Sequence, residues 1–264
     1  MEDIKYKKQY GQNFIYDPNL LKALVKDSQV SNENEVLEIG VGAGTLTKFL
    51  CESAKKVVCY EIDTSLRETI EKNLLDYSNY EIVFKDIMDA SEEEINQKFS
   101  SNFKIVANLP YYITSPIIFK FLEGNYNLSS LAIMVQKEVA ERICSKEKTK
   151  DYGVLSVMVQ AVADCQIVRE INRKMFTPVP NVDSSFVVIN INRNKFDIKN
   201  KEEFRSFVRS CFSMRRKTLV NNLKFFAQKE KLIYALSCLN LKENVRAEEI
   251  EVAKIVKLFN ILSQ

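Results

Sequence analysis

Four apolar runs, each closed at its C-terminal end by a polar or glycine-rich step, constrain the fold of this chain more than any other feature. Val36-Leu37-Glu38-Ile39 runs into Gly40-Val41-Gly42-Ala43-Gly44, and Val57-Val58-Cys59-Tyr60 ends at Glu61. Glu81-Ile82-Val83-Phe84-Lys85 ends at Asp86, and Lys104-Ile105-Val106-Ala107 ends at Asn108-Leu109-Pro110-Tyr111. Near-continuous apolar runs of this length are the pattern of strands buried on both faces of a parallel sheet. With helix-like segments between them, the alternation predicts an α/β chain with a doubly wound sheet, and ligands at the carboxyl ends of its strands. Seven strands are predicted, near 36–40, 57–62, 80–85, 103–108, 131–136, 165–171 and 185–192. The last two flank the proline-bearing loop Phe176-Thr177-Pro178-Val179-Pro180, which suggests a hairpin-like return at one edge.

Further helices bracket this sheet. Asp17-Pro18 looks like an N-cap with proline at the first helical position, and Leu20, Leu21, Leu24 and Val25 follow at helical spacing. Composition changes at Asn192-Arg193-Asn194-Lys195, so domains are predicted at 1–192 and 193–264. Beyond that boundary Phe204, Phe207, Val208, Cys211 and Phe212 share one helix face and Val252, Ile255, Val256, Phe259 and Leu262 another, the pattern of a small all-α domain. Between Phe204 and Lys224 lie Arg205, Arg209, Arg215, Arg216, Lys217 and Lys224 and no acidic residue. Such a run is usually a solvated face; its freedom from acids across two helices suggests a surface for RNA phosphates. The formal charge of only +3 means that any nucleic-acid reading rests on where charge lies, not on its total. The loop Lys146-Glu147-Lys148-Thr149-Lys150-Asp151 is expected to be a solvated turn.

Several chemistries are excluded. The 264 residues contain no histidine, which removes His-based triads, His-Glu metal hydrolysis and the His-x-Glu zinc deaminase pattern. The six cysteines form no Cys-x-x-Cys pair, so neither a zinc site nor a disulfide framework is signalled, and no metal is expected. The first residues carry no apolar leader core, and the longest apolar stretch, 131–135, is too short to span a bilayer. The expectation is a soluble cytoplasmic protein.

What remains is chemistry that needs positioning more than proton transfer. The glycine pattern Glu-x-Gly-x-Gly-x-Gly is not the dinucleotide Gly-x-Gly-x-x-Gly, because position 45 is Thr. It favours a nucleoside without pyrophosphate, whose ribose hydroxyls Glu61 could accept and whose adenine amine Asp86 could accept. S-adenosylmethionine satisfies all of this. The exocyclic amine of adenine is a poor nucleophile until both N–H bonds are held by acceptors and its nitrogen turns tetrahedral. The Asn108 side-chain oxygen can accept one and the Leu109 carbonyl the other, with Pro110 fixing the backbone and offering no competing N–H. The Tyr111 ring can stack on the base. Taken alone, the four residues also suit an ordinary strand-to-loop turn.

At this point the chain resembles the KsgA-type small-subunit ribosomal RNA adenine dimethyltransferases. The resemblance rests on residues 12–15 (Gln-Asn-Phe-Ile), 38–44, 108–111, 136–142 (Gln-Lys-Glu-Val-Ala-Glu-Arg), 152–156 (Tyr-Gly-Val-Leu-Ser), 176–180, 182–186 (Val-Asp-Ser-Ser-Phe) and 215–219 (Arg-Arg-Lys-Thr-Leu). It implies a Rossmann-like class I methyltransferase fold with a seven-stranded, mostly parallel sheet. It also implies S-adenosylmethionine contacts from Asn13, Ile15, Gly40, Gly42, Glu61, Ile62, Asp86, Ile87 and Asn108, and a target adenine sandwiched by Tyr111 and Phe176. Arg215, Arg216 and Lys217 are the expected RNA contacts. The implied reaction moves two methyl groups to each of two adjacent adenosines in the 3′-terminal hairpin of 16S rRNA, late in small-subunit assembly. The expected partner is the small ribosomal subunit, with no membrane and no DNA, and the expected state is a monomer. The sequence departs mildly from the family at Ile15, Val41 and Tyr112, where Leu, Pro and Asn are usual. Competing readings are an Erm-type large-subunit RNA methyltransferase, an RNA-binding assembly factor with a vestigial site, and a nicotinamide dehydrogenase, which fits the glycine spacing poorly.

Overall fold

A computed structural model describes residues 12–263 of the chain; of the basic, aromatic stretch at 6–14, residues 6–11 lie outside the described residues. Contacts divide the chain into two units, one of 1–140 with 166–191 and one of 141–165 with 192–264. The first is built on the strands β1 (Phe14–Ile15), β2 (Glu35–Ile39), β3 (Lys56–Glu61), β4 (Tyr80–Phe84), β5 (Phe103–Asn108), β6 (Leu128–Gln136), β7 (Ala163–Ile171), β8 (Phe176–Thr177) and β9 (Ser184–Ile191). Seven of them form one sheet in the order β4-β3-β2-β5-β6-β9-β7. The pairs β2·β3, β2·β5, β3·β4 and β5·β6 are parallel, and β6·β9 is antiparallel. The reversal of strand order beside β2 is the switch point at which open α/β sheets bind ligands.

All five residues of β2 are buried and β4, at the edge, is half-buried throughout, which is why the central strands are the most continuously apolar in sequence. The helices of this unit are α1 (Pro18–Asp27), α2 (Thr45–Ser53), α3 (Arg67–Asn73), α4 (Glu92–Asn96) and α5 (Thr114–Glu123), with the first residues of α6 (Lys137–Cys144). Asp17 caps α1 as predicted, its carboxylate accepting from the N–H groups of Asn19 (2.8 Å) and Leu20 (3.2 Å). Leu21, Leu24 and Val25 on α1 pack with Leu46, Leu50 and Cys51 on α2 against Val36, Val57 and Cys59 of the sheet. Each such side chain contributes about 1.5–3 kcal/mol by burial.

The second unit holds α7 (Val154–Gln160), α8 (Lys201–Cys211), α9 (Leu219–Leu223), α10 (Lys229–Cys238) and α11 (Val252–Leu262). Phe204, Phe207, Val208 and Cys211 are buried on α8, and Ile255, Val256, Phe259 and Leu262 on α11. The Phe259 ring lies 5.3 Å from Phe204 and 5.5 Å from Phe207, and Phe226 lies 5.0 Å from Phe207. Aromatic pairs at such distances contribute about 0.5–1.5 kcal/mol beyond their burial.

A single cut at 192 does not describe this division, because residues 141–165 join the helical unit. Tyr152 is the anchor: its hydroxyl donates to the Ile250 carbonyl (2.9 Å) and its ring meets Phe212 edge-on at 5.9 Å. Lys146, Lys148 and Lys150 of the 146–151 loop are exposed as expected, while its backbone is tied down, the Lys148 N–H donating to the Glu248 carbonyl (2.7 Å) and the Lys150 carbonyl accepting from Arg215. Cys51, Cys59 and Cys211 are buried in the role of small hydrophobes, whereas Cys144 and Cys165 are half-buried and Cys238 is exposed.

Candidate active site

The site is assembled at the carboxyl ends of β2 to β5. Past β2 the chain turns through Gly40, Gly42 and Gly44 with φ of 77°, 60° and 78°, a left-handed conformation that favours glycine. Crowding adds to this at Gly42, where a Cβ would stand 2.4 Å from the Phe14 ring. The Gly40 N–H donates to the Tyr60 carbonyl (2.8 Å), which ties the glycine loop to β3.

Glu61 ends β3 and is 5% exposed. Its Oε2 accepts from the Gly42 N–H (2.9 Å) and its Oε1 from the Asp63 N–H (2.8 Å). Burial lifts its carboxyl above the usual carboxylate range, and those N–H donors oppose the lift. Each carboxylate oxygen has further acceptor capacity, so this is a buried acceptor suited to hydroxyl donors. Asp86 follows β4, and its Oδ1 accepts from the Met88 N–H (2.8 Å), which holds a short helical turn carrying the buried Ile87.

Asn108 is the last residue of β5. Its side-chain Nδ2 donates to the backbone carbonyl of Asn13 at 2.7 Å, leaving Oδ1 as the acceptor end of the amide. The Leu109 N–H donates to the Met134 carbonyl on β6 (3.2 Å), while the Pro110 carbonyl accepts from the Ile113 N–H (3.2 Å) and the Thr114 hydroxyl (3.1 Å). The turn is thereby pinned on both sides.

One cavity is lined by Asn13, Ile15, Gly40, Gly42, Glu61, Ile62, Asp86, Ile87 and Asn108, together with Leu109 and Pro110. Tyr111 and Phe176 are not among its lining residues. Tyr111 is half-buried, with its hydroxyl 2.7 Å from that of Ser184, and burial raises its pKa. Phe176, which the resemblance sets against the target base, is 1% exposed. The reason is local: Phe176 pairs with Ile15 in the two-stranded β1·β8 ladder, and its ring packs in the core that holds Ile171 and Phe186.

Three residues on or beside the cavity wall had no role assigned from sequence. Glu38, inside the glycine motif, is 1% exposed, and its carboxyl is pushed up to about 8, chiefly by burial. The Cys59 thiol donates to its Oε2 at 3.8 Å. Tyr112 lines the cavity and is 57% exposed. Residues 111–113 form a 3-10 turn, in which successive side chains point about 120° apart, so Tyr111 and Tyr112 face different directions. Asp63 accepts from the side chain of Gln12 at 3.0 Å, fastening the segment that precedes β1. Among the described residues no group of three or more His, Cys, Asp or Glu side chains is placed to hold a metal ion.

Of the three arginine and lysine residues expected to meet RNA, Arg215 is engaged within its own unit. Its Nε donates to Glu248 (2.9 Å), and its guanidinium also reaches the Lys150 carbonyl. Arg216 and Lys217 are exposed.

Comparison with known proteins agrees with this arrangement. Over 263 residues the chain is 42% identical to the ribosomal RNA small subunit methyltransferase A of Caldanaerobacter subterraneus subsp. tengcongensis, covering 98% of each. It is 38% identical to the protein of that name from Fusobacterium nucleatum, again over 98% of each. The crystal structure of a dimethyladenosine transferase from Plasmodium falciparum matches with a TM-score of 0.83 at 27% identity, over 95% of this chain and 98% of that one. That of the 23S rRNA methyltransferase ErmE matches with a TM-score of 0.73 at 26% identity, over 96% and 100%. The family model for ribosomal RNA adenine dimethylase matches residues 4–264, and with the glycine loop, Glu61, Asp86 and the Asn108 turn on one cavity, the chain belongs to the ribosomal RNA adenine dimethylase family.

Proposed function

We propose that this protein transfers methyl groups from S-adenosylmethionine to N6 of two adjacent adenosines, dimethylating each, in the 3′-terminal hairpin of 16S rRNA. The setting is the cytoplasm, late in assembly of the small ribosomal subunit. The observation that carries the reading is the Asn108 amide, whose Nδ2 is held by the Asn13 carbonyl and whose Oδ1 is left to accept, on a residue that lines one cavity with Leu109 and Pro110.

The residues present fit S-adenosylmethionine. Glu61 is a buried carboxylate bonded to backbone N–H groups, with capacity left for two ribose hydroxyls. Asp86 has one oxygen held by Met88 and a second to accept from the amino group of an adenine, and Ile62 and Ile87 supply apolar surface for that ring. When bound, the cofactor supplies an electrophilic methyl carbon.

The chain's contribution to the transfer is positioning. The target adenine must leave its stack, at a cost of a few kcal/mol. Asn108 Oδ1 and the Leu109 carbonyl then accept hydrogen bonds from its two N–H groups, drawing the lone pair out of conjugation and toward the methyl carbon. Pro110 has no N–H to compete with the amine. Methylation makes the amine acidic, so its proton leaves to water without a general base, in keeping with a chain that contains no histidine. Once one methyl is on, the nitrogen retains a single N–H, and one of the two acceptors suffices for the second transfer.

The test is uptake of label. The protein is incubated with methyl-labelled S-adenosylmethionine and, separately, with unmodified small and large ribosomal subunits. Label in the small-subunit RNA alone is the expected result. Label in the large-subunit RNA would move the reading to the chemistry named for ErmE, and label in neither would overturn it.

A further inference from the structure

Phe225 is 92% exposed, beyond any other large hydrophobic side chain among the described residues. Its neighbour Phe226 turns inward against Phe207, so the helical core claims one ring of the pair and leaves the other in solvent. Lys224 Nζ stands over the Phe225 ring, 4.7 Å from its centroid. A phenylalanine on the surface adds little to the fold, and holding it there exposes apolar area that burial would have used. An aromatic face beside an ammonium is, however, the pairing that takes a nucleotide, with the base stacked on the ring and the phosphate on the cation.

The surroundings fit that ligand. From Phe204 to Lys229 the sequence has no acidic residue, and Glu230 is the first to appear. Phe225 lies just past α9, whose other end follows the exposed Arg216 and Lys217. That helix spans five residues, about 7 Å, roughly one nucleotide step along an extended strand. Asn222 fastens α9 to the preceding segment by donating from Nδ2 to the Cys211 carbonyl (2.7 Å) and the Met214 carbonyl (3.3 Å).

We infer that Phe225 and Lys224 form a stacking platform for one unpaired nucleotide of the RNA substrate, on the helical unit and separate from the methyl-transfer cavity. The inference rests on the reading that the substrate is RNA. Its contribution is to hold the substrate rather than to speed the chemical step, so it acts on affinity and not on turnover at saturation.

The chain contains no tryptophan, so Phe225→Trp introduces a single indole at the platform. Titrating that variant with a single-stranded oligoribonucleotide should quench its emission, and adding salt should reverse the quench. Phe225→Ala should weaken binding of protein-free 16S rRNA and of intact small subunits about tenfold, as loss of one stacked base would, while Phe225→Trp retains affinity. Lys224→Gln should lower the salt slope of binding by about 0.7, one phosphate on a single strand. Melting temperature and the transfer rate at saturating subunits should match the parent in all three variants. Unquenched indole emission, or unchanged RNA affinity in Phe225→Ala, overturns the platform. Loss of affinity for subunits but not for protein-free RNA overturns it too, and makes the ring a contact for ribosomal protein. Because the fluorescence and affinity readouts need no methyl transfer, they separate failure of the platform from failure of the proposed activity.

Discussion

In the proposed mechanism Asn108 carries the chemistry, and one backbone carbonyl decides which end of its amide would meet the substrate. With Nδ2 committed to Asn13, Oδ1 is the end left to accept from an amine; without that bond the amide could present its donor end, which repels an N–H. An acceptor aimed at the reacting nitrogen matters most in the transition state. Asn108→Ala should therefore cut the single-turnover rate at saturating S-adenosylmethionine about a hundredfold or more, the scale seen when one preorganised polar group is removed, with RNA affinity near that of the parent. A near-parent rate would take Asn108 out of the mechanism. Glu38 gives a second prediction at this scale. Its carboxyl holds a proton up to about pH 8 in the folded chain and releases it near 4.5 when unfolded. The folded state therefore binds more protons across that interval, and stability falls as pH rises from about 4.5 to about 8. The effect is bounded at roughly 5 kcal/mol. Glu38→Gln should flatten this fall, read as denaturant midpoints of the cofactor-free protein at pH 5 and pH 8; parallel midpoints for parent and variant would contradict it. The acidic position was visible in the glycine motif. Its burial was not, because a strand buried on both faces has no alternation to say which residue is sealed from water.

At the scale of elements, the central strands were legible because each is an apolar run stopped by a residue that cannot continue it. The two-residue strands β1 and β8 were not, since a pair of residues has no period to detect. Missing that ladder is what hid the burial of Phe176. The same limit hid the link between α5 and the cofactor side of the site. Lys120 on α5 donates from Nζ to the carbonyls of Ala90 (2.7 Å) and Met88 (3.3 Å), and so ties the Asp86 turn to the helix that follows the Asn108 turn. Burial lowers its pKa, and the neighbouring Glu92 and Asp89 oppose that. Lys120→Met should raise KM for S-adenosylmethionine up to about tenfold, from loss of hydrogen bonds worth about 1.5–3 kcal/mol in a half-exposed setting, with kcat changed much less. Lys120→Arg should recover part of the loss. A fall in kcat with KM unchanged would show that the link does not serve the cofactor.

Across the whole molecule, charge is unevenly spread. Glu38, Glu61 and Asp86 line the cavity, whereas the charged residues of 204–229 are all basic. The run was visible in sequence; which of its members are spoken for was not, because Glu248, the partner of Arg215, lies 33 residues away. Arg216→Ala with Lys217→Ala should weaken small-subunit binding and flatten its salt dependence by about 0.7 for each phosphate left unneutralised, while leaving S-adenosylmethionine affinity intact. Arg215→Ala should instead lower the melting temperature, as it removes the ties to Glu248 and the Lys150 carbonyl. An unchanged salt slope in the double variant would mean that the basic run is not the RNA surface. The central claim, dimethylation of adenine N6 in small-subunit RNA, is tested most directly by digesting that RNA after reaction and identifying the modified nucleosides and their positions by mass spectrometry. The account predicts N6,N6-dimethyladenosine at two adjacent positions near the 3′ end, and methyl groups on another base, on another atom of adenine, or at a lone site would contradict it.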